Sequence, residues 1–278
     1  MLKLMYITNR PEIAKVCEAA GVDRIFVDME FIGKDARQGG LDTVQSHHTA
    51  EDAAAVKAAL KRAQLLVRIN PIHDAIPGYY SSADEIDAVI KAGADIIMLP
   101  YFKTVEEAEK FIGLVGGRAR TVLLIETPEA VQLADELIEL PGVDEVFIGL
   151  NDLSLGCGFS FMFEPLANGM VERLSLKFRK KGIPFGFGGI AAPGRGALPA
   201  EYILKEHYRL GSQCVILSRS FCDAAKIADP KKVAEIMTSG VAEIRALEKE
   251  CEVHSRFFFE NEKELIRRVE LIKEGSKA

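Results

Sequence analysis

Eight short apolar runs, set at intervals along the chain with helix-forming stretches between them, constrain this sequence more than any other feature. They are LKLMYIT (2–8), RIFVDM (24–29), LLVRIN (65–70), DIIMLP (95–100), TVLLIE (121–126), EVFIGL (145–150), IPFGFGG (183–189) and QCVILS (213–218). A strand with one wet face alternates apolar and polar residues, whereas these runs are nearly continuous, as expected of parallel strands covered on both faces. The stretches between them carry helix signals. Thr49 with Glu51 and Asp52 opens an alanine-rich segment to Ala63, Thr104 and Glu107 form a capping box ahead of an amphipathic run to Val115, and Thr127 precedes Pro128 at a first helical position. Three strands follow a helix stop and a short glycine turn, in AAGVDRIF, KAGADIIM and LPGVDEVF, a weak internal repetition. An open doubly wound sheet is the rival arrangement, but eight evenly spaced βα units predict a closed (β/α)8 TIM barrel of the α/β class.

The chain has 278 residues, which one barrel commonly occupies, and 48% hydrophobic with 27% charged residues is enough apolar surface for a large core. After Phe221 the strand pattern stops. Two helical stretches follow, Asp229 to about Glu250 and Asn261 to about Lys273, with the apolar cluster RFFF (256–259) at their junction. The expected division is a barrel over residues 1–225 and a C-terminal helical extension over 226–278. That extension either packs as the last barrel helices or docks a second subunit, and a homo-oligomer is expected. A net charge of −6 and a pI near 5.6 argue against nucleic acid or an anionic membrane as partner. The five cysteines are scattered without a CxxC pair, and no run of about 18 apolar residues occurs, so the sequence reads as a cytoplasmic protein with reduced thiols.

Barrel enzymes carry their chemistry at the carboxyl ends of the strands. The polar residues at those positions are Asp28 and Glu30 after the second run, Arg68 and Asn70 at the third, Glu126 at the fifth, and Asn151 with Asp152 just past the sixth. Glu126 and Asp152 come from adjacent strands and offer hard oxygen ligands without a neighbouring His or Cys, which favours Mg²⁺ or Mn²⁺. Arg68 ends an apolar strand and cannot shed its charge. It either pairs with Asp28 or Glu30, or clamps a substrate carboxylate or enolate oxygen. Imine chemistry needs a lysine projecting from a strand into the barrel, and among the eight runs the only lysine is Lys3.

Several of these segments resemble the HpcH/HpaI aldolase and citrate lyase β-subunit family, part of the phosphoenolpyruvate/pyruvate-binding barrel superfamily. They are DRIFVDME (23–30), LLVRINP (65–71), GADIIMLPYFKTVEEAEKF (93–111), LLIETPEAV (123–131) and PGVDEVFIGLNDLSLGCG (141–158). The resemblance runs from about residue 5 to about 225. It implies that Glu126 and Asp152 bind the divalent metal and that Arg68 holds a 2-oxo acid. Two departures stand out. Aldolases of the family carry a histidine base after strand two where this chain has Phe31, and a glutamine where it has Leu124, closer to the citrate lyase branch.

A substitute base is sought in the loop from Phe31 to His48. His47 and His48 lie there just ahead of a helix, either reaching the substrate or standing exposed or capping that helix. Asp28 and Glu30 are the other candidates, and His73 is a weaker one. The run Gly186–Pro199, with Arg195 and Arg219, could hold a phosphate or serve as a rim turn. Tyr79, Tyr80 and the FSFMF stretch (159–163) read as packing or subunit contacts. The expected activity is metal-dependent cleavage of a 2-oxo-4-hydroxy acid through a pyruvate enolate, with Gly149, Leu150, Asn151 and Asp152 meeting the substrate. An acyl-CoA lyase of the citrate lyase type and a non-catalytic oxo-acid-binding barrel are the alternatives.

Overall fold

A computed structural model describes residues 1–34, 46–227, 229–253 and 257–275. Eight parallel strands close into a barrel in chain order: β1 (Lys3–Ile7), β2 (Arg24–Asp28), β3 (Gln64–Arg68), β4 (Ile96–Leu99), β5 (Arg120–Ile125), β6 (Glu145–Ile148), β7 (Phe185–Ile190) and β8 (Cys214–Leu217). The seam pairs β8 with β1, from Lys3 opposite Cys214 to Tyr6 opposite Leu217. Each expected apolar run matches one strand, with β3, β5 and β7 reaching one residue beyond it.

The crossovers are α1 (Pro11–Ala19), α2 (Ala50–Ala59), α3 (Ser82–Lys91), α4 (Val105–Val115), α5 (Pro128–Gln132), α6 (Ala134–Leu137), α7 (Leu150–Gly156), α8 (Glu164–Ala167), α9 (Met170–Lys181) and α10 (Ala200–Leu210). Capping starts several of them. Thr49 Oγ1 accepts the Asp52 N–H while Asp52 Oδ2 accepts the Thr49 N–H, and Thr104 and Glu107 form the same reciprocal pair. Thr127 Oγ1 accepts the Ala130 N–H at 3.1 Å, with Pro128 opening α5.

The Gly-x-Asp turns have a specific task. Gly21, Gly93 and Gly142 take left-handed backbone angles (φ 96°, 91° and 93°), which lets the chain leave a helix and enter an even-numbered strand. The aspartate that follows accepts the N–H of the second residue of the preceding strand: Asp23 from Leu4 (2.8 Å), Asp95 from Leu65 (2.7 Å) and Asp144 from Thr121 (2.8 Å). The weak sequence repetition is therefore a two-strand unit repeated three times. Before β8 the turn reads Gly211-Ser212-Gln213, and the aspartate is replaced.

Two apolar layers follow from the strand period of two. One face of each strand packs outward on the helices. The other builds an inner core from Met5, Phe26, Leu66, Ile96, Met98, Val122, Leu124 and Phe147. At the amino-terminal end this interior is closed by a buried ion pair. Arg24 on β2 reaches across to Glu145 on β6, Nη1 to Oε1 at 2.6 Å and Nη2 to Oε2 at 2.8 Å, and Cys214 Sγ lies 3.2 Å from the same carboxylate.

After β8 come α11 (Pro230–Val253) and α12 (Phe257–Gly275), the second starting earlier than its sequence pattern indicates. Helix α11 packs on α1 and α10, and its Glu248 and Arg245 hold the backbone of Leu2 beneath β1. Helix α12 covers α10 and α8 with Leu265 and Val269 buried, while Phe257, Phe259 and Leu271 stay exposed. Arg256 of the RFFF cluster and the middle of the loop after β2 (35–45) lie outside the described residues. None of the described helices is long and apolar enough to cross a membrane.

Candidate active site

The inward positions one step above the apolar inner core, at the carboxyl ends of the strands, are polar. Asp28 follows Phe26, Arg68 follows Leu66, and Glu126 follows Leu124. Together with Asp152 on the opening turn of α7 they line one cavity of about 410 Å³. Phe26, Met98, Leu124, Phe147 and Ile216 make its apolar floor, and the rim is formed by Thr8, Asn9 and Arg10 after β1 and by Ser218 and Arg219 after β8.

Arg68 is held in a fork. Its Nε and Nη2 donate to the two oxygens of Asp28 at 2.8 Å each, and Nη1 lies 3.3 Å from Glu30 Oε2. The register explains the fork, because Asp28 and Arg68 are direct partners on β2 and β3. The ion pair foreseen for Arg68 therefore forms, with both carboxylates at once. Burial alone would raise the Asp28 carboxyl, but the Arg68 guanidinium and the Lys34 ammonium overcome it and hold Asp28 well below the usual carboxylate range. Burial likewise disfavours the charged guanidinium, yet Asp28 and Glu30 keep Arg68 firmly protonated. Glu30 is fully buried behind this fork and does not face the cavity.

Lys34 was not found by sequence reasoning. It comes from the loop after β2, not from a strand, and its Nζ sits 3.2 Å from Asp28 Oδ2 and 3.4 Å from Glu30 Oε2, at the cavity wall. The available signal was its place four residues after Glu30.

The two loop histidines part company. His47 is exposed and does not line the cavity. His48 does, and its Nδ1 accepts the Asp28 backbone N–H at 3.0 Å. A backbone N–H is only a donor, so the Nδ1 lone pair is committed and the neutral ring carries its proton on Nε2. Burial holds the His48 pKa below its ordinary value. His73 turns away, its ring nitrogens 2.7 Å from the Pro71 carbonyl oxygen and 2.9 Å from that of Tyr80. Asn70 also leaves the site: Oδ1 accepts the N–H groups of Phe31 and Ile32, and Nδ2 donates to Glu85, so it shapes the loop after β2.

Glu126 is fixed from two sides. The Tyr101 backbone N–H donates to Oε1 at 3.0 Å, and Gly149 is packed so closely that a Cβ there would lie 2.7 Å from Oε2. Tyr101 holds a left-handed backbone angle (φ 48°), unusual for a bulky residue. Gly149, Leu150 and Asn151 run along the same wall. Next along the rim, Gly188, Gly189 and Arg219 reach the cavity, whereas Arg195 is exposed and away from it. Tyr79 and Tyr80 stack on each other at 4.3 Å outside the cavity, and of the FSFMF stretch only Met162 lines it.

Residues 3–162, more than half of the chain, match the profile of the HpcH/HpaI aldolase/citrate lyase family. The chain belongs to that family. Solved structures share the HpcH/HpaI fold at low identity. An HpcH/HpaI aldolase/citrate lyase family protein from Burkholderia cenocepacia J2315 superposes with a TM-score of 0.61 at 16% identity, covering 84% of this chain and 94% of that one. An HpcH/HpaI aldolase from Desulfitobacterium hafniense DCB-2 gives 0.57 at 18% identity, over 78% and 86%. A variant of the citrate synthase SbnG gives 0.54 at 19%, over 87% and 93%. No curated protein sequence matches this chain. In this HpcH/HpaI family member Phe31 packs edge-on against Tyr79 at 4.9 Å and lies outside the cavity lining, while Leu124 is part of the cavity floor.

Proposed function

We propose that this protein is a divalent-cation-dependent carbon–carbon lyase that cleaves a 4-hydroxy-2-oxo acid to a pyruvate enolate and an aldehyde. One observation carries the reading: a pinned arginine and two carboxylates from neighbouring strand ends line the same cavity. Among the described residues no group of three His, Cys, Asp or Glu side chains converges as a metal centre. Glu126 and Asp152 form a hard, all-oxygen pair, and Gly149 leaves the space in which Glu126 Oε2 stands. These features suit Mg²⁺ or Mn²⁺ with further positions left to small oxygen ligands. When bound, the cation would act as a Lewis acid toward substrate oxygens.

The chain's own groups divide the remaining work. Asp28 takes two of the five N–H donors of Arg68 and Nη1 faces Glu30 at 3.3 Å, which leaves two donors for a carboxylate or enolate oxygen. The opening turn of α7 has N–H groups without intrahelical partners beside the same wall. Cleavage requires removal of the 4-hydroxyl proton, after which the C3–C4 bond breaks and the electron pair remains on the enolate. Two groups on this wall can take that proton: Asp28 once substrate draws Arg68 away, and His48 once Nδ1 releases the Asp28 N–H.

The test is pyruvate release from a panel of 4-hydroxy-2-oxo acids with and without Mg²⁺ or Mn²⁺. Activity should require the cation and be lost in Glu126→Gln. Loss of the rate in His48→Ala, with His47→Ala active, assigns the proton to His48, and a rate surviving both assigns it to Asp28. The committed His48 lone pair and the depressed Asp28 carboxyl favour a second reading, a barrel that holds cation and oxo acid without turnover. Tight oxalate binding with no pyruvate formed from any panel member would establish it.

A further inference from the structure

We propose that Lys34 is a second cation for the substrate carboxylate, working beside Arg68 on a small 2-oxo acid; this rests on the reading of the cavity as an oxo-acid site. Three observations support it. Lys34 is nearly buried, with its side chain 5% exposed, yet it lines the cavity, whereas its neighbour Glu30 is sealed behind it. A purely structural ammonium is not needed here, because Asp28 already has a hydrogen bond from Arg68 on each oxygen and Glu30 already has Arg68 as counter-ion.

Charge balance gives the third. Arg68 alone would stand as one cation against two carboxylates, a wall that repels an incoming anion. Lys34 brings the group to two against two. An ammonium has three donors, and only Asp28 and Glu30 engage Lys34 among the described residues. His48, whose neutral ring carries its proton on Nε2, lines the same cavity.

The experiment is calorimetric titration of the full chain with oxalate in the presence of Mg²⁺. Lys34→Met should weaken oxalate by about tenfold or more, the size of one charge-assisted hydrogen bond, and Lys34→Arg should restore most of that loss. Removing a buried cation can destabilise the fold, so Lys34→Met combined with Glu30→Gln keeps the cluster neutral and should show the same weakening. Wild-type affinity in both methionine variants would overturn the proposal. So would trapping of pyruvate on Lys34 by borohydride, which needs an uncharged amine, or a wild-type protein that binds no oxalate. If oxalate binding weakens as expected while no 4-hydroxy-2-oxo acid is cleaved, Lys34 keeps its role and the lyase reading alone falls.

Discussion

Gly149 is the residue on which the placement of Glu126 depends most directly. Its backbone angle (φ −84°) is one that any residue adopts, so an alanine there carries no backbone penalty, and the whole effect is contact. The added Cβ would meet Glu126 at Oε2 (2.7 Å) and Cβ (2.8 Å), inside a wall with little room to yield. Gly149→Ala should therefore lower stability by about 1–3 kcal/mol in thermal unfolding. It should also weaken Mn²⁺ binding measured by electron paramagnetic resonance. An unchanged Mn²⁺ affinity would show that Glu126 moves aside without consequence. At this scale the sequence was legible where the strand period extends beyond the last apolar inward residue, which is how Arg68 and Glu126 could be read. It was not legible where a loop folds back. Lys34 has no periodic neighbour, and the commitment of His48 Nδ1 depends on which backbone N–H it meets in space.

Among elements, the repeated Gly-x-Asp turn explains how adjacent strands are kept in step. Each aspartate immediately precedes one strand and satisfies an N–H at the start of its neighbour, so the turn couples the two lower ends. Asp95 also pairs with Lys57 of α2 at 2.6 Å, which ties the helix to the same point. Asp95→Ala should leave the Leu65 N–H without its acceptor and cost about 1–3 kcal/mol in denaturant unfolding. A loss no larger than that of an exposed aspartate such as Asp74 would refute this role. The strands and caps were readable because apolar continuity and capping chemistry are local. The Arg24–Glu145 pair was not: both residues open strands in otherwise apolar runs, and only barrel closure brings β2 opposite β6. The early start of α12 was hidden by its aromatic residues, which resemble a junction more than a helix.

For the whole molecule, acid sensitivity should arise in part far from the cavity. His207 near the end of α10 is fully buried, stacks on Phe187 at 3.8 Å and shares a hydrogen bond with Ser212 Oγ at 2.8 Å. Burial pushes its pKa down to about 3. The unfolded chain takes up a proton near the ordinary histidine value while the folded one resists, so this stabilisation is complete above about pH 6.5 and falls as the pH is lowered toward 3. The drop in Tm between pH 7 and pH 5 should be smaller in His207→Phe than in the wild type, and an equal drop would place the acid sensitivity elsewhere. The closed floor has a consequence of its own for traffic. With Arg24 and Glu145 locked together below Phe26 and Phe147, the barrel is, among the described residues, a vessel closed at its amino-terminal end. If the proposed cleavage takes place there, the fragments leave in the order of their depth, the one at the rim first. The fragment against Arg68 is then the last out, and it competes with the next substrate for the same seat.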